Sequence, residues 1–262
     1  MLRVSTKRRQ PGEGLQEPQR LSRQLSILLA AEIVSGRIGV GEPFASSEEI
    51  VNRYDVSRTV ARETVQELAM LGMVNVQHGK RTEVRPSNEW DILSSVVQEA
   101  MRREGKAEPF LRDLYEFRLL IEPQAAGWMA EYADAAEIAT LTELAVRMDR
   151  LARDDAALQD LMAADRSFHD LVAQASDNHV VAAVSRDIRE VIGTLWGFSA
   201  MDATAAAKVA EQHQMIASAI ALRDASAAEE AMRDHLLWAA HADLHGLGEP
   251  SRLRFSAGTF AG

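Results

Sequence analysis

Hydrophobic and polar positions in the first third of the chain change period several times. Leu21, Leu25, Leu28, Leu29 and Ile33 recur at helical spacing, and the run stops at Ser35-Gly36. Gly39-Val40-Gly41-Glu42-Pro43 reads as a loop. Ser46, with Glu49 three positions on, has the form of a capping box and starts a short helix to about Tyr54. Asp55-Val56 makes a turn. Ser57 is an N-cap for a second helix, Arg58 to Leu71, which Gly72 terminates. Val74-Asn75-Val76 and Thr82-Glu83-Val84 then alternate as strands around the turn Gln77-His78-Gly79-Lys80. Helix, helix–turn–helix and hairpin, in that order over residues 20–86, predict a winged helix-turn-helix.

Pro86-Ser87-Asn88 reads as a linker, and everything after it is helical by period. Runs are predicted near 90–104, 110–132, 134–153, 157–175, 179–199, 204–222 and 224–245, with Glu122-Pro123 expected to kink or split the second. Ile138, Leu141, Leu144, Met148 and Leu151 form an amphipathic stripe. The expected fold is therefore mainly α: a winged helix with a small hairpin, then an all-α bundle over 87–247. Residues 1–19 and 248–262 read as loose tails.

Composition narrows the chemistry. Among 262 residues there is no cysteine, which excludes disulfides, thiolate metal sites and cysteine nucleophiles. No apolar run is long enough for a membrane helix, and residues 1–18 lack the apolar segment of a secretory signal, so a cytoplasmic protein is expected. The net charge is −10, unusual for a nucleic-acid binder. Its distribution matters more than the total. Residues 1–86 hold 13 Lys and Arg against 10 Asp and Glu, whereas the remainder holds 16 against 29. A mildly basic module joined to an acidic one suits a phosphate-facing head on a different body.

The second helix of the helix–turn–helix turns Val60, Ala61, Val65 and Leu68 inward and Ser57, Arg58, Thr59, Arg62 and Gln66 outward. A recognition helix reads base edges in the major groove from its N-terminal residues, and arginine is the best bidentate reader of guanine. Arg58 and Arg62 share a face. A hairpin tip of His78, Gly79 and Lys80 suits close approach to the sugar–phosphate backbone or minor groove. Double-stranded DNA is the expected partner.

In the bundle, helical spacing turns four polar residues inward. Asp165 and His169 lie four apart, and Leu161, Phe168 and Val172 share their face. His213 lies among Val209, Ala210, Ile216, Ala217 and Ile220; His235 lies among Ala231, Met232, Trp238, Ala239 and Ala242. A single inward histidine is most simply a hydrogen-bonded core residue. One aspartate and three histidines together suit a divalent ion such as zinc, nickel, manganese or iron. Arg118 is also inward; it is either a structural partner of Glu122 or a counter-ion for an anionic ligand. His241 and His245 have a ligand spacing but no carboxylate spaced to join them, and Asn178 reads as an N-cap.

Residues 46–86, above all the Val56-Ser-Arg-Thr-Val-Ala-Arg-Glu63 core, resemble the winged helix of GntR-family regulators. The resemblance implies DNA contacts at Arg58, Thr59 and Arg62, with the wing contributing His78 and Gly79. Two positions depart from that pattern: Ala45 stands where the family usually has proline, and Glu48 where it often has arginine. Tyr115 to Pro123, Asp165, His169, His213 and His235 resemble the FCD effector domain of the FadR branch, and the extra helix at 90–104 its seven-helix version. This implies a divalent metal on the Asp/His set and a small organic acid bridging it to Arg118, in a homodimeric repressor. The segments at 88–93 and 122–131 resemble members that sense sugar acids. Two other readings stand beside this one: a helical metalloenzyme, and a metal-free regulator responding to an acyl-CoA.

Overall fold

The computed structural model describes residues 16–77, 79, 81–154, 157–196, 202–245 and 253, which divide into two compact units meeting at 107/108. The first unit contains α1 (Gln16–Val34), α2 (Ser47–Tyr54), α3 (Arg58–Met70), β1 (Val74–Asn75), β2 (Glu83–Val84) and α4 (Ser95–Arg103), with one short 3-10 turn at Ser87–Glu89. The second contains α5 (Glu108–Tyr132), α6 (Ala135–Leu151), α7 (Leu158–Gln174), α8 (His179–Trp196), α9 (Ala203–Ala221) and α10 (Ala225–His245).

The local signals for α2 and α3 are realised. The Ser46 hydroxyl accepts from the Glu49 N–H at 3.3 Å, and the Glu49 carboxylate accepts from the Ser46 N–H at 2.7 Å. Asp55 ends α2 in the left-handed region, and the Ser57 hydroxyl accepts from the Val60 N–H to start α3. β1 and β2 pair antiparallel with Val74 opposite Val84. The loop before α2 lies on the other side of β2, where Phe44 N–H donates to Thr82 O at 2.7 Å. Gly72, at φ +70°, turns the chain from α3 into β1. A Cβ there would lie 2.2 Å from Glu89 O, so only glycine fits.

Three expectations need correction. First, α1 begins at Gln16, inside the segment read as a loose tail; Pro18 suits a first helical turn, where its missing N–H costs nothing. Residues 1–15 lie outside the described residues. Second, Leu21 and Leu28 point outward, 44% and 41% exposed, while Leu25, Leu29, Ala30 and Ile33 are buried. Third, α5 runs unbroken through Pro123. The helix is held by burial along both flanks, from Phe110 to Ala130, which outweighs one lost backbone bond.

The sequence reading places α4 after the linker; in the structure its Val96, Val97 and Ala100 complete the core formed by α1, α3 and the hairpin. In the second unit, Leu141 and Met148 of α6, Phe168 of α7, Ile216 of α9 and Met232 of α10 close one core around α5. At its centre α5 carries Ala125, Ala126 and Gly127, and these small residues let α10 come close: a Cβ on Gly127 would meet Glu229 at 2.5 Å. The close approach of α5, α7, α9 and α10 brings the inward polar residues together.

Candidate metal centre and DNA-reading helix

Asp165 and His169 come from α7, His213 from α9 and His235 from α10, and one ligand atom from each falls within 4.8 Å of the others. Metal bonds of about 2.0–2.2 Å put opposed ligand atoms about 4 Å apart, so small side-chain shifts close this set on one ion. The histidines are almost fully buried.

Tautomers carry the argument further. His213 Nδ1 lies 2.8 Å from the Val209 carbonyl, and His235 Nδ1 lies 3.2 Å from Gln212 Oε1. His169 Nδ1 lies 2.9 Å from Glu122 Oε2. Each Nδ1 faces an oxygen acceptor and is the protonated nitrogen, so each Nε2 keeps its lone pair. Yet His213 Nε2 sits 3.2 Å from His169 Nε2 and 3.2 Å from Asp165 Oδ1. Acceptors facing acceptors in a dry interior repel unless a cation lies among them. The donor set therefore fits a divalent metal.

Electrostatics agree. Burial lowers the His169 imidazole from its ordinary value, partly offset by Glu122, and burial drives His235 well below. Both are neutral at physiological pH, as ligands must be. Glu122 stands behind the centre. It accepts from Arg118 Nε at 2.8 Å and Nη2 at 3.2 Å, and Arg118 and His169 hold its carboxyl well below the usual range against burial.

A cavity of about 140 Å³ opens on this centre, lined by Asp165, His169 and His235 together with Arg118, Arg166, Arg189, Tyr115 and Asp243. Arg118 pairs with Glu122, the structural one of its two sequence readings, and it also lines the cavity. Sequence reasoning missed Arg189 and the pair Tyr115–Asp243. Arg189 is buried on α8, pairs with Asp170 and lies 3.5 Å from Glu122 Oε1. Its signal was present, since Ser185 and Ile192, at −4 and +3, are also buried. His241 is exposed, while the side chain of His245 lies outside the described residues. Asn178 caps α8 by accepting from the N–H groups of Val180 and Val181.

In the first unit Arg58, Thr59, Arg62 and Gln66 are exposed on one side of α3, opposite the buried Val60, Ala61, Val65 and Leu68. Neither arginine forms an ion pair among the described residues, which leaves both free for phosphate or base. Glu48 is exposed in the first turn of α2, where a carboxylate suits the helix dipole. Gly79 stands at φ +74° at the hairpin tip, with nothing within 4 Å of a Cβ. His78 and Lys80 lie outside the described residues.

A helical face bearing exposed arginines in one unit, and in the other a cavity where histidines, carboxylates and arginines converge, define a DNA-binding, ligand-responsive regulator. Residues 21–84 match the family described as bacterial regulatory proteins, gntR family, and residues 113–237 match the FCD domain. The chain thus carries a GntR-family helix–turn–helix domain followed by an FCD domain, the pairing of a transcriptional regulator. It is 25% identical over 209 residues to the galactonate operon transcriptional repressor of Escherichia coli K12, covering 79% of this chain and 90% of that one. It is 28% identical over 244 residues to the HTH-type transcriptional repressor NanR of Salmonella typhimurium, covering 89% and 88%. The solved structure of Lar from Listeria monocytogenes shares the fold at a TM-score of 0.55 and 14% identity, over 87% of this chain and 97% of that one. Among the described residues no helix is long and apolar enough to cross a membrane.

Proposed function

We propose that the protein is a homodimeric repressor of the FadR branch, working in the cytoplasm and released from its operator by a small organic acid, a sugar acid above all. Asp165, His169, His213 and His235 hold a divalent ion: zinc, nickel, manganese or iron. Arg118 binds the acid's carboxylate from the opposite wall. Arg58, Thr59 and Arg62 read the operator, with His78, Gly79 and Lys80 of the wing on the adjacent backbone or minor groove. The observation that carries the reading is the convergence of three imidazole lone pairs and one carboxylate on a cavity that also presents arginine. Two repressors among its relatives, one named for galactonate, favour repression and a sugar acid. Effector binding acts on DNA only if it favours one arrangement of the dimer.

Cavity size weighs against the acyl-CoA reading. Drug-sized ligands occupy roughly 300–1,000 Å³, well above the 140 Å³ found here. Thermal unfolding of metal-loaded protein against a panel of carboxylates, galactonate included, tests the proposal. A ligand at about 100 times its Kd adds about 2.7 kcal/mol, a rise in Tm of roughly 5–10 °C. The same acid should free operator DNA and should not shift Asp165→Ala. If neither chelator nor any acid moves the Tm of the wild type, the metal–acid reading is wrong and only the DNA-binding half stands.

A further inference from the structure

The metal cavity is small for a sugar acid. A cavity of about 150 Å³ holds benzene, a guest of about six non-hydrogen atoms. The cavity here measures about 140 Å³. A hexonate such as galactonate carries about thirteen non-hydrogen atoms, roughly twice the benzene load. Its carboxylate and the neighbouring carbons fit, and the rest needs more room. That room adjoins. A cleft of about 430 Å³ runs between α7 and α8, where Met162, Arg166 and Asp170 face Arg186, Arg189 and Gly193. Arg166, Arg189 and Gly193 line both spaces and form the neck between them. We infer that the hydroxylated tail of the effector leaves the metal cavity through this neck and binds in the α7–α8 cleft. The inference rests on the acid–metal reading above and gives the same ligand a second subsite.

The neck lies where the tail must start. Arg118, which takes the carboxylate on that reading, donates from Nε to Glu122 Oε1 at 2.8 Å, and Arg189 Nη1 lies 3.5 Å from the same oxygen. An acid held between the metal and Arg118 therefore begins its chain beside Arg189. Arg189 is buried, and its Nε and Nη1 have no hydrogen-bond partner among the described residues. Buried donors left unpaired are costly, and a hydroxyl oxygen passing the neck is an acceptor for them. Gly193 stands inside α8, where glycine weakens a helix. Lacking a side chain, it leaves the neck open. The walls of the cleft suit an uncharged polyol. Arg166 and Arg186 are exposed and form no ion pair among the described residues, while Asp170 and Glu190 bring acceptors. Guanidiniums only donate, carboxylates only accept, and a hydroxyl does both. The same charged walls disfavour an acyl chain, which would strip them of water without replacing its hydrogen bonds.

Calorimetric titration of the full-length, zinc-loaded protein with galactonate and with glycerate tests this. Glycerate keeps the carboxylate and its neighbouring hydroxyl but lacks the tail. The wild type should bind galactonate about tenfold or more tightly than glycerate, since the tail hydroxyls gain charged partners. Met162→Trp fills the cleft, and Arg186→Ala removes a donor from it; neither residue lines the metal cavity. Each variant should weaken galactonate by about tenfold and leave glycerate within about twofold. Equal binding of the two acids by the wild type overturns the inference and leaves the acid–metal reading intact. So do variants that keep full affinity for galactonate, or that weaken both acids alike. Glycerate bound without galactonate overturns it as well. If zinc binds but neither acid does, the acid–metal reading itself has failed, and this inference with it.

Discussion

Gly72 shows what a single residue imposes here. Its φ of +70° and the 2.2 Å approach of Glu89 O to a would-be Cβ leave no room for a side chain. Gly72→Ala should cost well over 1 kcal/mol, the strain of a left-handed residue plus a steric clash. A fall in the urea midpoint without a change of slope would report it; an unchanged midpoint would mean the turn relaxes freely. At this scale the sequence was informative wherever one helix decides the outcome. His169, His213 and His235 were readable as inward because their own neighbours at three and four positions are apolar. The Nδ1 partners were harder to read. Gln212 adjoins His213 in sequence yet serves His235, and Glu122 reaches His169 from another helix. Such pairs depend on which helices meet, and periodicity does not encode that.

Among the elements, α3 was legible almost completely, cap and both faces, because a capping serine and a strong apolar period agree. α1 was less so. Leu21 and Leu28 fit the helical repeat but stand outside the buried stripe, since a stripe wide enough to include them exceeds what α3 and α4 cover. α5 departed from expectation because burial overrode proline. The outward side of α3 leads to a direct test. Arg58→Ala and Arg62→Ala should each weaken binding to DNA selected by the wild-type protein by roughly ten- to a hundredfold, about 1–3 kcal/mol. Both arginines are exposed and form no ion pair among the described residues, so thermal stability should be unchanged. Loss of both affinity and Tm would place the arginines in the fold instead of the interface.

For the whole molecule, two cores make two compact units. The boundary was expected at the proline-bearing linker, but α4 completes the first core and moves it to 107/108. A propensity pattern shows that a helix exists, not which core it joins. The division has a calorimetric consequence. A metal that binds only folded protein stabilises only the unit that holds it. A chelator should therefore lower one transition, that of residues 108–262, and leave the other in place. Movement of both would show that the units melt together.

The wall of the cavity has one further consequence. Arg118, Arg166 and Arg189 face it, and so do Asp165 and Asp243, while Glu122 and Asp170 pair with the arginines from behind. Four carboxylates outnumber three guanidiniums, and a free acid would be repelled. A divalent cation reverses that sign, and a monoanion then brings the pocket to neutrality. The two guests must arrive in order, cation first. On the proposed function, such a regulator would answer its acid only while metal is plentiful; in a metal-starved cell it would stay on its operator, deaf to the acid.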